Sequence, residues 1–236
     1  MLGGLQHHSI DFYLAFLRDH HFNAIRLLFN HMDVLHNPAL EDSPHMDGFR
    51  NSHHLGGERP EHYLDVFRMV AQAAAHYGIL VMVCAHGMTP NDAWPGNDAW
   101  PGNGLWYDEH VSEGDALQSW DRLTAVLCGQ WNVFAADLQN EPWKASWAKG
   151  MGHASDWGHA AERIGNHVLS RCNRLLIFVE GVGGNPGAPG MDQASDGIFW
   201  GENLAGARLQ PVRLTVPGRL VYSPHVYGPS VTHQHY

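Results

Sequence analysis

Cysteine is scarce in this sequence, which has three in 236 residues: Cys84, Cys128 and Cys172. None of them shows the C-x-x-C spacing of a redox or metal motif, and three cysteines cannot form the multi-bridge framework of small secreted domains. One pair can form, which leaves one thiol over. Cys84 lies in an apolar run at residues 80–85, so it is predicted to be a buried, unreactive thiol.

Long apolar runs and positive charge are also lacking. No stretch approaches the roughly 20 apolar residues that cross a bilayer. Only 14 Lys and Arg stand against 24 Asp and Glu, for a formal net charge of −10. Nucleic acids and anionic membrane surfaces repel such a protein, so neither is an expected partner. The charge fits a neutral ligand such as a sugar, and it equally serves to keep a globular protein in solution.

Targeting, nucleotide and metal motifs are missing as well. Residues 1–8 have neither the basic segment nor the apolar core of a signal peptide, so either the protein is cytosolic or its natural start lies elsewhere. No strand is followed by a Gly-rich phosphate-binding motif. The 19 histidines include adjacent pairs such as His7-His8, whose side chains diverge, and no H-E-x-x-H. A histidine-rich surface is therefore favoured over a metal site, and no cofactor is expected.

Apolar strands alternate with amphipathic helices along the chain. Such an order is typical of an α/β fold with a parallel sheet. A polar loop is predicted between the first strand and about residue 58, before a helix that begins near Pro60 and ends at Gly78. Strands are predicted at residues 23–29, 79–85, 133–138, 175–179 and 220–223, and the other helices at 9–20, 113–129 and 156–170.

A tandem hexapeptide, Asn-Asp-Ala-Trp-Pro-Gly, occupies residues 91–96 and again 97–102. It follows a predicted strand, in a loop where insertions are tolerated. Its tryptophans, Trp94 and Trp100, could stack on sugar rings, but a duplication without function explains the repeat equally well.

Polar residues lie near the end of each predicted strand, where the apolar run stops. The carboxyl ends of parallel barrel strands converge on one face, where the active sites of this architecture lie. Any one of these side chains could merely satisfy a loop carbonyl, yet their recurrence at successive strand ends favours a shared site. The residues are Arg26, His86, Asn140, Glu141, Glu180, His225 and Tyr227.

Glu141, in Asn140-Glu141-Pro142, is the candidate proton donor. A carboxylic acid at a strand end can protonate a glycosidic oxygen, and the neighbouring amide of Asn140 can bond a sugar 2-hydroxyl. The tripeptide alone is weak evidence, and its place at a strand end gives it weight. Aromatic residues after the strands support a carbohydrate ligand, although about half are expected to be structural. They are Trp94, Trp100, Trp106, Tyr107, Trp143, Trp147, Trp157 and Trp200.

These motifs resemble glycoside hydrolase family 5, and within it the bacterial endo-β-1,4-glucanases. The matching segments are residues 22–27, 86, 105–107, 137–142, 161–166, 176–182, 200–204 and 220–227, in family order. The resemblance implies a TIM (β/α)8 barrel and a retaining enzyme, of a mostly secreted kind, that acts on β-glucan polysaccharides or oligosaccharides. It also implies Arg26, His86, Asn140, Glu141, His225 and Tyr227 as active-site positions, with Glu141 as acid and base, and Trp106 and Trp200 as sugar platforms.

The nucleophile implied by the family follows its seventh strand, and no residue of this chain matches it. The predicted strands correspond to strands two to six of eight, so residues 1–236 are interpreted as a single catalytic domain truncated at both ends. Glu180 and Glu202 are the nearby carboxylates, and neither matches the nucleophile position. The chain alone is therefore expected to bind sugar weakly and to turn over little.

Two other functions remain open on the residues alone. A carbohydrate-binding pseudoenzyme would bind cello-oligosaccharides without releasing reducing ends. A metal-dependent barrel hydrolase would use the histidines and would lose activity with chelators.

Overall fold

The computed structural model describes residues 4–90, 103–148, 154–183, 199–228 and 230. The tandem hexapeptide, with Trp94 and Trp100, lies outside these residues. Within them, no helix combines the length and the apolar character that crossing a bilayer requires.

Five parallel strands of the described chain form one sheet. They are β1 (Ala24–Asn30), β2 (Leu80–Gly87), β3 (Val133–Asp137), β4 (Leu176–Val179) and β5 (Leu220–Tyr222). Their order in the sheet is their order in the chain, β1-β2-β3-β4-β5. A doubly wound sheet reverses its order at a switch point, whereas a barrel adds each strand beside the last. The sheet is therefore part of an α/β barrel, and the predicted fold class is confirmed.

Six helices accompany these strands in the described part of the chain. They are α1 (Ile10–Asp19), α2 (His31–His36), α3 (Asp47–Arg50), α4 (Tyr63–His76), α5 (Glu113–Leu127) and α6 (Trp157–Arg171). The predicted helix near Pro60 begins at Tyr63, because the amide of His62 bonds the Asp65 side chain at 2.9 Å and closes the first turn there. The unbroken loop predicted after β1 is wrong, since α2, α3 and a 3-10 turn at Pro44–Met46 lie within it.

Inner and edge strands differ in burial. In β2 and β3 most side chains are buried, whereas in β1 only Phe29 is fully buried and in β5 every residue is partly exposed. The core lies between the sheet and helices α4, α5 and α6. This arrangement leaves the carboxyl ends of the strands to carry polar side chains without disturbing the core.

A disulfide joins Cys128 to Cys172, each at the end of a helix, α5 and α6. Cys84 is a free, buried thiol. One pair with one thiol left over is what the three cysteines allowed. Beside the disulfide, Arg174 donates to the carbonyls of Cys128 at 2.9 Å, Val133 at 2.6 Å and Gln130, and so ties the amino ends of β3 and β4 to the α5 terminus.

Candidate active site

The polar residues predicted from the strand ends do meet at one end of the sheet. Arg26 lies on β1, Asn140 and Glu141 follow β3, Glu180 follows β4, and His225 follows β5. Direct hydrogen bonds link all five side chains into one network. These residues converge because the strands are parallel and adjacent in the sheet, so that their carboxyl ends lie along the same edge.

Arg26 is the cation at the centre of this network. Its Nε and Nη2 donate to Oδ2 of Asp137 at 2.9 and 2.7 Å, and Nη2 also reaches Oδ1 of Asn140 and Oε1 of Glu180, both at 2.9 Å. Because Arg26 takes the amide oxygen of Asn140, the amide nitrogen is the group that can donate to a ligand.

Burial by itself would lower the pKa of Arg26, but the neighbouring groups, with Asp137 and Glu180 among them, raise it above its usual range. Burial, and then the negative charge of Glu180, raise the pKa of Asp137, while Arg26 opposes the rise. The network thus places two buried carboxyl groups against one permanent cation.

Glu141 has an unusual backbone for a residue that is not glycine, with φ at +44°. Its amide donates to Oε2 of Glu180 at 2.7 Å. Its side chain, 10 % exposed, accepts from Nδ1 of His225 at 2.8 Å and from the Tyr227 hydroxyl at 3.0 Å. Both bonds go to Oε1, so Oε2 is the oxygen that can carry a transferable proton.

His225 bridges two carboxylates. Nδ1 lies 2.8 Å from Oε1 of Glu141 and Nε2 lies 3.0 Å from Oε1 of Glu180. Burial opposes its charge, but the hydrogen bonds to Glu141 and Glu180 outweigh burial and raise the pKa of His225 from 6.5 to about 9. At neutral pH the ring is therefore an imidazolium that donates from both nitrogens.

His86 lies on β2 beside a cavity of about 360 Å³, which Arg26, Asn30 and Thr89 also line. Burial, and then the positive charge of Arg26, lower the pKa of His86. Its ring is accordingly a neutral imidazole at pH 7, able to donate from one nitrogen and accept at the other.

Aromatic rings adjoin the acid. Trp200 stacks on Trp143 with ring centroids 5.0 Å apart, and Phe199 meets Tyr227 edge-on at 4.7 Å. Trp200 stays partly exposed. The sequence gives no signal for Phe199, because this residue does not directly follow a strand.

Trp106 is not a sugar platform, contrary to prediction. It is 2 % exposed, its Nε1 donates to Glu113 at 2.7 Å, and its ring packs on Trp157 at 5.6 Å. A buried ring whose N–H is satisfied within the protein cannot stack on a ligand. Trp147 and Trp157 are buried too, in line with the expectation that about half of these rings are structural.

Two further parts of the site were not assigned from the sequence. Asp137, the last residue of β3, is 1 % exposed and holds Arg26. Gly201 has φ +77°, and a Cβ there would lie 3.0 Å from Oε2 of Glu180 and 3.1 Å from Cγ of Glu141. Asp137 could have been predicted as a site residue, because it is a charged residue at the end of an apolar strand. No local sequence pattern indicates a role for Gly201.

Neither nearby carboxylate has the freedom of a nucleophile. Glu180 is fully buried, with both oxygens engaged by protein donors, and Glu202 accepts from the amide of Phe199 at 2.8 Å.

Among the residues described, Cys84, Asp137 and Glu180 bring possible metal ligands within 4.8 Å of one another. The Arg26 guanidinium is already bonded to both of these carboxyl groups, so the cluster does not fit a metal ion.

The sequence profile described as Cellulase (glycosyl hydrolase family 5) matches residues 6–236. The chain belongs to this family. Similar curated cellulases include an "Endoglucanase" from Paenibacillus polymyxa, 42% identical over 130 residues, which are 54% of this chain and 31% of that protein. A "Major extracellular endoglucanase" from Xanthomonas campestris is 42% identical over 105 residues, 44% of this chain and 20% of the relative.

Solved family 5 structures match almost the whole chain. A cellotetraose complex of an endocellulase from Pyrococcus horikoshii has a TM-score of 0.77 at 30% identity, over 98% of this chain and 60% of that one. The catalytic domain of the major endoglucanase from Xanthomonas campestris gives 0.78 at 29%, over 98% and 61%. The chain thus spans three-fifths of these structures and a third or less of the two curated relatives.

Proposed function

We propose that the full-length protein containing this chain is a retaining endo-β-1,4-glucanase that hydrolyses cellulose or related β-glucans, with Glu141 as acid and base. The observation that carries the proposal is Glu141 itself: a strand-end carboxyl group, 10 % exposed, whose Oε1 is held by His225 and Tyr227. Membership of the family and the names of the relatives support the same reaction class.

The chemistry needs two carboxyl groups. Glu141 donates its proton to the glycosidic oxygen as the bond to the anomeric carbon breaks, while a second carboxylate attacks that carbon to form a glycosyl-enzyme. Glu141 then takes a proton from the water that releases the sugar. The second carboxylate must lie about 5–5.5 Å from the first in a retaining enzyme. The family resemblance assigns it to the seventh strand, and no residue of this chain is proposed for it.

The rest of the site suits a neutral sugar. The Asn140 amide nitrogen can donate to a 2-hydroxyl, and the neutral His86 ring can bond another hydroxyl beside the 360 Å³ cavity. Trp200, partly exposed beside Trp143, offers an apolar face for a pyranose ring. Cellotetraose, bound by the Pyrococcus horikoshii neighbour, is the probe of choice.

We also propose that the full-length protein acts outside the cytosol. The Cys128–Cys172 disulfide is of a kind that persists in oxidising compartments, and a relative is named as extracellular. Fractionating the source organism with an antibody to this chain tests this, and finding the protein only in the reducing cytosol would contradict it.

The test of the proposed function is reducing-end release from cellotetraose by the full-length protein. Wild type should hydrolyse it, and Glu141→Gln should lower kcat/KM by about 10²–10⁴-fold. Glu109→Gln, the same change at a side chain that is 81% exposed, should leave kcat/KM unchanged. Thermal stabilisation by cellotetraose without any cleavage would favour the pseudoenzyme instead, and loss of activity with a chelator would favour the metal-dependent hydrolase.

A further inference from the structure

We infer that Glu180 is a positioning residue: it orients the backbone of Glu141 and the ring of His225, and through them the proton-donating carboxyl group. The inference rests on the proposed function, because it assigns Glu180 a part in that reaction. It gives a role to the one carboxylate of the site that is 0 % exposed and so cannot touch substrate.

Three contacts from three parts of the chain converge on Glu180. Oε2 accepts the amide of Glu141 at 2.7 Å, and Oε1 accepts Nη2 of Arg26 at 2.9 Å and lies 3.0 Å from Nε2 of His225. Two of these partners are a cation and a charged ring, and the third is the backbone of the acid. Buried hydrogen bonds to a charged acceptor are strong and directional, so Glu180 fixes the relative position of all three.

The contact to the Glu141 amide bears on an unusual backbone. With φ at +44°, Glu141 occupies a region that side-chain-bearing residues rarely adopt and that persists only where the surroundings impose it. The 2.7 Å bond from its amide to Glu180 is such a constraint. The direction in which the Glu141 side chain leaves the strand end therefore depends on the position of the Glu180 carboxylate.

The contact to His225 acts on the other side of the acid. Glu180 accepts from one ring nitrogen while Glu141 accepts from the other, so the charged ring links the two carboxylates in a line. The other charged or titratable groups near the ring are Arg26, His86 and Tyr227. Without the Glu180 charge, the ring would keep only the Glu141 carboxyl group as an acceptor and would face the positive charge of Arg26 with less compensation.

Gly201 shows independently that the groups around Glu180 are closely packed. Its Cα approaches so closely that a Cβ would lie 3.0 Å from Oε2 of Glu180, 3.1 Å from Cγ of Glu141 and 3.3 Å from Cβ of His225. Its carbonyl accepts from the amide of His225 at 3.0 Å. A methyl group here would press on the same three residues without removing a carboxylate.

The direct test is the titration of His225 by NMR, with ring-labelled histidine and His225→Gln for assignment. In wild type, His225 should stay doubly protonated well above pH 7. Glu180→Gln should lower its midpoint by about one pH unit or more, because the charged acceptor beside Nε2 is replaced by a neutral one. Asp137→Asn also removes a carboxyl group from Arg26, but Asp137 makes no hydrogen bond to His225 among those described, so it should move the midpoint much less.

An unchanged His225 midpoint in Glu180→Gln, or an equal shift in Asp137→Asn, would overturn the inference. These titrations need no turnover, so they fail or succeed separately from the proposed glucanase activity. If Glu180→Gln does not fold, wild type and Gly201→Ala keep the inference testable. A wild-type midpoint near 6.5, or a Gly201→Ala protein with unaltered His225 shifts and unaltered activity, would contradict it.

A kinetic comparison then separates positioning from a purely structural role. In the full-length enzyme, Glu180→Gln should lower kcat on cellotetraose by about 10²-fold, as expected for a misplaced reacting group, with KM changed much less. The alkaline limb of its pH profile should move to lower pH together with the His225 midpoint. A folded Glu180→Gln enzyme with wild-type kcat and pH profile would refute the role.

Discussion

Two partly buried arginines at opposite ends of the sheet show how hydrogen-bond partners decide what a charged side chain does. Arg26, at the carboxyl ends of the strands, is bonded to Asp137, Glu180 and the Asn140 amide. Arg174, at the amino ends, is bonded to three backbone carbonyls. Neighbouring charges raise the pKa of Arg26 against the effect of burial, whereas burial lowers the pKa of Arg174.

The two sets of partners give the two arginines different roles, Arg26 in the candidate active site and Arg174 in stabilising the fold. Carbonyl partners are neutral and fixed by the backbone, so Arg174 ties a helix end to strand starts and can do little else. Carboxyl partners titrate and compete for the same cation, so the group around Arg26 can respond to protons and to substrate. In barrels the carboxyl-end face holds the reaction and the opposite face holds stability, which matches this contrast.

The largest expected effect comes from removing the positive charge of Arg26 at the carboxyl ends of the strands. Arg26→Met leaves Asp137 and Glu180 buried without their cation, so the free energy of unfolding should fall by about 3–5 kcal/mol. Activity of the full-length enzyme should be lost along with it. Urea denaturation and cellotetraose hydrolysis measure the two effects. A stable, active Arg26→Met protein would remove the contrast between the two ends.

The disulfide belongs to the amino-end region and should matter for stability alone. Cys128 and Cys172 are 44 residues apart, and the loop entropy they remove is worth about 3–4 kcal/mol. Cys128→Ser with Cys172→Ser should lower the urea midpoint accordingly while kcat/KM of the folded enzyme stays unchanged. A selective loss of activity would instead tie this end of the sheet to catalysis.

Arg174→Met sharpens the comparison by making the same substitution at the other arginine. Three carbonyls lose a donor, but water can reach part of this site, so about 1–3 kcal/mol of stability should be lost. Activity per folded molecule should remain at the wild-type level. If Arg174→Met lost activity as Arg26→Met is expected to, the two ends would not be functionally distinct.

The last effect, confined to alkaline pH, is a pH dependence of stability due to His225. Its pKa is raised to about 9 in the folded protein, so the folded state binds more protons than the unfolded state between pH 6.5 and 9. The stabilisation is complete below pH 6.5 and is lost as pH rises through 9, by about 1–3 kcal/mol at most for a partly exposed ring. In His225→Gln this fall should disappear, and an identical slope in both proteins would show that His225 does not titrate there.

The sequence allowed the strands and the site to be predicted, because apolar runs ending in polar residues report both at once. Arg26, Asn140, Glu141 and His225 were found in this way, and the structure brings them together. The short helices after β1 were missed because four to six residues do not develop a helical period.

The contacts that each side chain makes in the fold could not be predicted in the same way. Trp106 and Trp200 both follow strands, and only packing decides that one ring is buried and the other partly exposed. Glu180 was visible as a strand-end carboxylate, but its contact with the Glu141 amide depends on where two chain segments meet in space. Gly201 likewise acts through the side chains it approaches, which no local pattern records.

The most direct test of Glu141 as proton donor compares two substrates of the full-length enzyme. Cellotetraose has a poor leaving group that needs protonation, whereas an aryl cellobioside with a dinitrophenolate leaving group does not. Glu141→Gln should lower the rate of bond cleavage by about 10²–10⁴-fold on cellotetraose and far less on the aryl cellobioside. Equal losses on both substrates, or no loss on cellotetraose, would contradict the assignment.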